Sequence, residues 1–335
     1  MSKVQNLTVP EADEGVRLDR WFRRRYPDLT QGRLEKLLRT GQVRVDGARV
    51  KASHRVARGE VVRIPPLQTA AVVPEKERPL PKGSARDRET IESMVMYRDD
   101  DVIVLNKPSG LAVQGGTKTE RHVDGLLPLL IRPGGERPRL VHRLDRDTSG
   151  VLVVAANVGA AAKLAAAFRQ RNAKKIYWAL TIGIPRPYTG EVNLALVKRN
   201  ADDGRERERM HTIDEDDDEE EDNGARPART RYAVMETATT YAWVALMPLT
   251  GRTHQVRAHA AALGAPIVGD FKYGGVAAKG LGDLANRLHL HARRLLIKHP
   301  KGQLLDLSAP LPPHMARAWD MFGFAKDDKR DPFTE

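Results

Sequence analysis

Cysteine is absent from all 335 residues of the chain, which excludes disulfides, thiol nucleophiles and thiolate metal sites. Long apolar runs are also missing: none approaches the roughly 18 residues that a membrane-spanning helix needs. The opening stretch, Met1-Ser2-Lys3-Val4-Gln5-Asn6, has neither the apolar segment nor the small-residue cleavage site of a secretory signal. Aromatic residues are few, at 5%, but hydrophobic residues at 41% and charged residues at 30% are a globular composition rather than a disordered one. These absences lead to the expectation of a cytoplasmic protein with no membrane partner.

What the chain has in excess is positive charge. It carries a net +12 despite nine consecutive carboxylates from Asp214 to Asp222, without which the balance would be +21. Such an excess suits a polyanionic partner, because each phosphate contact releases condensed counterions. Residues 1–66 hold 15 Lys or Arg against 8 Asp or Glu, so more than half of the excess sits in a fifth of the chain. Charge concentrated in this way predicts a binding face.

Length and pattern divide the chain. Leu18, Trp21 and Phe22, and again Leu34, Leu37 and Leu38, recur at i, i+3, i+4 and predict two short helices. Thr30 is placed to cap the second, and Gly41 to end it. Val43 to Val50 alternates around an Asp46-Gly47 turn, and Val61 to Ile64 reads as another strand. A small helix-helix-sheet domain is therefore expected over 12–66, with Arg33, Lys36, Arg39, Arg44 and Arg49 on exposed positions. This arrangement resembles an S4-like RNA-binding domain, the module shared by a ribosomal small-subunit protein and several RNA-modifying enzymes. A basic packing or dimerisation module would show the same pattern.

Residues 67–88, rich in Pro, Lys and Glu, read as a linker. A second domain is expected over 89–325. Met94–Tyr97 and Val102–Leu105 flank Arg98-Asp99-Asp100-Asp101 as a hairpin. Further strands are expected at Leu140-Val141, Val151–Val154, Ile176–Ile182, Arg231–Met235, Tyr241–Met247 and Leu288–Ile297, with a helix at Ala160–Arg171. Strands that predominate without regular βαβ alternation predict an α+β fold with a largely antiparallel mixed sheet. The acidic run, in an insertion at about 201–226, cannot be buried and reads as a solvated, disordered loop.

The densest polar constellation is His142-Arg143-Leu144-Asp145-Arg146-Asp147-Thr148-Ser149-Gly150. Polar groups entering a core need partners or a task. On residue chemistry alone, this is equally a tight loop whose Asp147, Thr148 and Ser149 cap backbone groups, with nothing to separate Asp145 from Asp147. His254 and His259 stand at i, i+5, on different helix faces, and no Cys or well-spaced carboxylate completes a zinc site; they read as structural, as do His289 and His291.

The segment resembles the signature of the large bacterial class of pseudouridine synthases that modify ribosomal and transfer RNA. Three more motifs follow in that family's order: Leu105-Asn106-Lys107-Pro108-Ser109-Gly110, Lys174-Lys175-Ile176-Tyr177, and Gly251-Arg252-Thr253-His254-Gln255-Val256-Arg257-Ala258-His259. The resemblance implies that Asp145 is the catalytic carboxylate and that Asp147 is not. It also implies that Arg143 replaces the flipped nucleotide in the RNA stack, that Tyr177 packs on the target base, and that Arg257 pairs with Asp145. Arg252 is left between contacting phosphate and shaping the pocket. Such chemistry flips a base out of its stack and calls for no metal and no cofactor. Val113-Gln114-Gly115-Gly116 and Asn286 to Ala292 point to members of the class that act on 23S ribosomal RNA, with transfer-RNA enzymes as the alternative. The partner expected is therefore RNA, 23S rRNA or its large-subunit precursor, engaged by a monomer. The rival from another class is a non-catalytic RNA-binding or ribosome-assembly protein.

Overall fold

The structure, a computed structural model, describes residues 4–26, 29–67, 84–115, 119, 121–200, 208–213, 225–280, 282, 284 and 286–334. Backbone contacts divide the chain into two compact units, Met1–Leu80 and Pro81–Glu335.

In the first unit, α1 (Leu18–Arg25) and α2 (Gln31–Arg39) pack on a three-stranded antiparallel sheet of β1 (Gln5–Thr8), β2 (Arg44–Val45) and β3 (Val61–Ile64), in the order β1-β3-β2. The helical stripes do what their spacing implies: Leu18, Trp21, Phe22 and Leu34 join Val43, Val45, Val62 and Ile64 in one core. Each such side chain stabilises the unit by about 1.5–3 kcal/mol. Thr30 caps α2, its side chain accepting the Arg33 N–H. The Asp46-Gly47 turn has positive φ at both residues (46° and 76°), the primed geometry that matches the twist of a hairpin. Two features differ from expectation. β1 lies before residue 12 and has no alternating apolar signal, and the second arm of the valine hairpin shrinks to a single bridge from Val45 to Ala48.

The second unit begins with α3 (Ala85–Ser93), capped by Ser84, inside the stretch expected to be linker. The rest of that stretch, 68–83, lies outside the described residues. Around a ten-stranded mixed sheet run β4 (Val95–Arg98), β5 (Val102–Lys107), β6 (Arg139–Leu140), β7 (Ser149–Ala155), β8 (Lys174–Ile182), β9 (Thr189–Asn193), β12 (Arg229–Ala238), β13 (Tyr241–Pro248), β14 (Leu290–Lys298) and β15 (Leu304–Ser308). The order is β4-β5-β7-β14-β8-β13-β12-β9, with β6 also on β7 and β15 also on β14. Only β7 with β14 is parallel. The sheet is thus largely antiparallel and the fold α+β. The helices α4 (Val123–Leu126), α5 (Val158–Arg169), α6 (Gln255–Ala262) and α7 (Pro313–Phe322) complete the unit.

Val102–Leu105 of β5 and Val151–Ala155 of β7 are continuous apolar runs because both faces of the sheet are covered there. Ile103, Leu105, Leu152 and Val154 enter a core with Ile91 and Leu127, whereas Val102, Val104, Val151 and Val153 enter another with Leu164 of α5. The same parity aims β8. Ile176, Trp178 and Leu180 point into a core with Trp243 and Trp319, which leaves Lys175 and Tyr177 on the opposite face.

The expected acidic insertion falls mostly outside the described residues, including all of 214–222. Inside it, however, β11 (Glu208–Ile213) is a strand, paired antiparallel with β10 (Ala195–Asn200). The expectation of disorder across 201–226 is corrected to that extent. Six residues of backbone find ladder partners there even though the sequence around them is strongly charged.

Candidate active site

Residues 141–148 form the loop between β6 and β7, and its supports come from distant parts of the chain. His142 accepts the Val153 N–H through Nε2 at 2.8 Å and stacks on Phe168, ring centroids 4.3 Å apart. Burial lowers its pKa to about 3, so it is neutral and serves as an acceptor. Lys107, fully buried, donates from Nζ to the carbonyls of Pro108, Leu111 and Arg146 at 2.8–2.9 Å. Burial lowers its pKa to about 7 against the pull of Asp147 and Asp145. Ser109 Oγ donates to the Asp147 carbonyl at 2.8 Å. The Lys-Pro-Ser-Gly motif is therefore a brace for the loop that carries Asp145.

The end of the loop is fixed just as firmly. Ser149 Oγ lies 2.9 Å from His291 Nδ1 on β14. Gly150, at φ +111°, passes so close to β14 that a Cβ would lie 2.2 Å from the Ala292 carbonyl oxygen. Only glycine fits there.

From this loop Asp145 faces a cavity of about 270 Å³, lined also by Arg143, Lys175, Tyr177, Arg252, His254 and Arg257. Tyr177 enters from β8, opposite Leu246 of β13 and Ala292 of β14. Burial, and then the Asp145 charge, push its hydroxyl well above the ordinary tyrosine range, so it stays protonated. Arg143 is exposed. Arg252 is half-buried, with Nε donating to the Pro227 carbonyl at 3.2 Å. Its guanidinium is tied to the pocket wall.

Arg257 differs from its expected pairing. Its Nε and Nη2 donate to Asp270, both at 2.7 Å, and no hydrogen bond or ion pair joins it to Asp145. Burial opposes its charge, but the bonds and attraction of Asp270, then the field of Asp145, more than offset this and raise its pKa. Asp270 competes successfully because it is itself only 1% exposed and a bidentate fork compensates its loss of water. Arg257 thus acts on Asp145 through space, not as a hydrogen-bonded partner.

The two histidines of the third motif separate. His259 is structural, with Nδ1 2.9 Å from Thr230 Oγ1 and Nε2 3.2 Å from the Leu194 carbonyl. His254, expected to be structural as well, lines the cavity with Nε2 3.9 Å from Asp145. Asp270, Tyr273 and Lys175 also surround the site without having been singled out in the sequence. Lys175 alone left a signal, its parity with Tyr177 on β8.

In the first unit, Arg33, Lys36, Arg39 and Arg49 are exposed. Arg44 is half-buried and donates to the carbonyls of Gly41 and Gly47 at 3.1 Å, holding the turn together.

Residues 101–262 match the RNA pseudouridylate synthase family, and residues 16–62 the S4 domain. The chain belongs to the pseudouridine synthases and is an RNA-modifying isomerase. Among its relatives is the ribosomal large subunit pseudouridine synthase C of Vibrio vulnificus, 35% identical over 317 residues that cover 92% of this chain and 94% of the relative. The enzyme of the same description from Rickettsia bellii is 37% identical over 310 residues, covering 90% and 96%. A solved structure, human RNA pseudouridylate synthase domain containing 4, superposes with a TM-score of 0.58 at 30% identity, covering 70% of this chain and 95% of its own. Among the described residues no helix is long and apolar enough to cross a membrane.

Proposed function

We propose that this enzyme isomerises uridines of 23S ribosomal RNA, or of its large-subunit precursor, with Asp145 as the reacting carboxylate. The observation that carries this reading is the convergence of Asp145, Tyr177 and Arg257 on one cavity from a loop, a strand and a helix. The large-subunit target rests on the descriptions of the relatives, which match nearly end to end.

The reaction breaks the C1′–N1 bond, turns the detached uracil, joins C1′ to C5, and transfers the C5 proton, directly or through water, to N1. Asp145 serves as carboxylate, either by forming an ester at C1′ or by removing the 2′ proton. Tyr177 stacks on the base and, being protonated, donates a hydrogen bond rather than accepting a proton. The Arg257 cation, held by Asp270, lines the cavity without covering the Asp145 carboxylate. Arg143 fills the gap left by the flipped uridine, and Arg252, Arg33, Lys36, Arg39, Arg44 and Arg49 meet the RNA backbone or hold the loops that do. Asp145, Tyr177 and Arg257 all come from one chain, which supports action as a monomer.

Asp145→Asn should bind large-subunit RNA normally and form no pseudouridine by mass spectrometry of nuclease digests; wild-type turnover by that variant overturns the assignment. Pseudouridine mapping in cells lacking the gene should show loss at 23S positions. Loss only from transfer RNA would overturn the substrate.

A further inference from the structure

His254 holds an unusual backbone for a non-glycine residue. At φ 53° and ψ 16° it is left-handed, at the start of α6, and its side chain makes no capping bond. Such strain persists where surrounding structure imposes it and tends to mark functional sites. What it achieves here is to aim the imbidazole ring's two nitrogens in opposite directions, Nδ1 to Tyr273 Oη at 2.8 Å and Nε2 toward Asp145 Oδ2 at 3.9 Å.

The hydrogen-bond partners of Tyr273 point to which nitrogen carries the proton. Tyr273 Oη lies 3.3 Å from the backbone N–H of Met210, which can only donate. Among the described residues the only other group within hydrogen-bond reach of this phenol is His254 Nδ1, which is therefore the acceptor available to its proton. A neutral imidazole that accepts at Nδ1 carries its hydrogen on Nε2. Burial, the leading influence, lowers the His254 pKa to about 4 in spite of Asp145, so the ring is neutral. Tyr273 is itself held: Asp270 Oδ1 accepts its N–H at 3.3 Å and the Arg257 guanidinium lies 5.1 Å from its ring centroid.

We propose that His254, fixed by Tyr273 as the Nε2–H tautomer, is a positioning residue that presents a neutral N–H to Asp145 and orients its carboxylate toward the ribose. This rests on the reading of Asp145 as the reacting group. A cation touching the carboxylate would compete with the electrophilic C1′ for its lone pairs, whereas an uncharged donor orients one oxygen and leaves the other available. With the ring held on Tyr273, an approach of about 1 Å by the Asp145 carboxylate closes the contact to hydrogen-bond length. Arg257, held by Asp270, supplies charge from the cavity wall, so orientation and field come from two different residues.

The test compares full-length His254→Asn, His254→Gln and Tyr273→Phe on large-subunit RNA. Asn tolerates the left-handed backbone but its amide stops near the Nδ1 position; the longer Gln reaches the Nε2 position. His254→Asn should lower kcat about 10- to 100-fold, the usual loss when the partner orienting a reacting group is removed. Its KM should stay within about threefold and its melting temperature should hold. His254→Gln should recover most of kcat, and Tyr273→Phe should lower kcat in the same direction by less. In the wild type, 15N chemical shifts of His254 should report protonated Nε2 and bare Nδ1 at pH 7. Wild-type kcat in His254→Asn, equal losses in Asn and Gln, or an Nδ1–H tautomer would overturn the proposal. Asp145→Asn run in parallel separates the two readings: if it is active the assignment of Asp145 fails, and if it is dead while His254→Asn is normal only the role of His254 fails.

Discussion

Arg257 and Asp270 form a bidentate pair at 2.7 Å, with the arginine 8% and the aspartate 1% exposed, and the arginine lines the cavity that Asp145 faces. Removing one member of a buried pair strands the other's charge and costs about 3–5 kcal/mol. Asp270→Ala should therefore lower the urea midpoint strongly. Asp270→Asn, which keeps one acceptor, should cost less than half as much while reducing kcat, because Arg257 becomes free to turn onto Asp145 and cover it. An Asp270→Ala variant with unchanged stability would show that the pair is not buried in solution.

Tyr177 separates stacking from hydrogen bonding. Tyr177→Phe keeps the ring against the base and should hold the RNA KM within about threefold, while kcat falls about 10²-fold or more if the hydroxyl takes part in proton transfer. Single-turnover kinetics with large-subunit RNA check this, and a kcat equal to wild type would confine Tyr177 to packing.

The approach of β14 to Gly150 predicts that Gly150→Ala is among the most damaging small substitutions in the chain. A methyl group 2.2 Å from the Ala292 carbonyl oxygen, on a backbone at φ +111°, has no relief except separation of β7 from β14. The loss should exceed about 4 kcal/mol, visible as insoluble expression or a collapsed melting temperature. A variant that melts within a few degrees of wild type would contradict the register.

Acid stability should depend on His291. Fully buried between Ser149 and the Ala309 carbonyl, it is neutral, and burial lowers its pKa to about 3. Between the ordinary value of 6.5 and about 3, the unfolded chain binds a proton that the folded chain refuses. Stability therefore falls as pH falls through that window, by at most about 1.4 kcal/mol per pH unit for this group. His291→Asn should be less stable at pH 7.5 yet lose less on acidification from pH 6.5 to 4. Urea unfolding at stepped pH measures both, and parallel curves for the two proteins would remove His291 from the account.

Neutralising Arg33, Lys36 and Arg39 together, all exposed on α2, should weaken RNA binding and flatten the slope of log K against log salt by about 2–3. Unchanged salt dependence would place RNA on another face of the first unit.

Sequence alone determined a good deal here. Helical spacing located α1 and α2, β-period apolar runs located most strands of the sheet, and four motifs in order identified the chemistry. Such features are local, written in a periodicity or in a contiguous string of residues. β1, too short and too exposed to carry a period, was not legible. Neither was β11, whose pairing with β10 is set by a partner rather than by composition.

The tertiary structure decided who faces whom. Asp145 and Asp147 are two residues apart and chemically alike, and only the packed loop shows Asp145 on the cavity with Tyr177 and Arg257. Asp270 lies 13 residues beyond Arg257 and takes the guanidinium that the motif pattern had paired with Asp145. His254 and His259 share a motif, but the left-handed turn at His254 sends one imidazole to the cavity while the helix buries the other. Pairings of this kind depend on competition among groups brought together by distant segments, each trading water for the best available partner. That competition takes place only once the chain has folded.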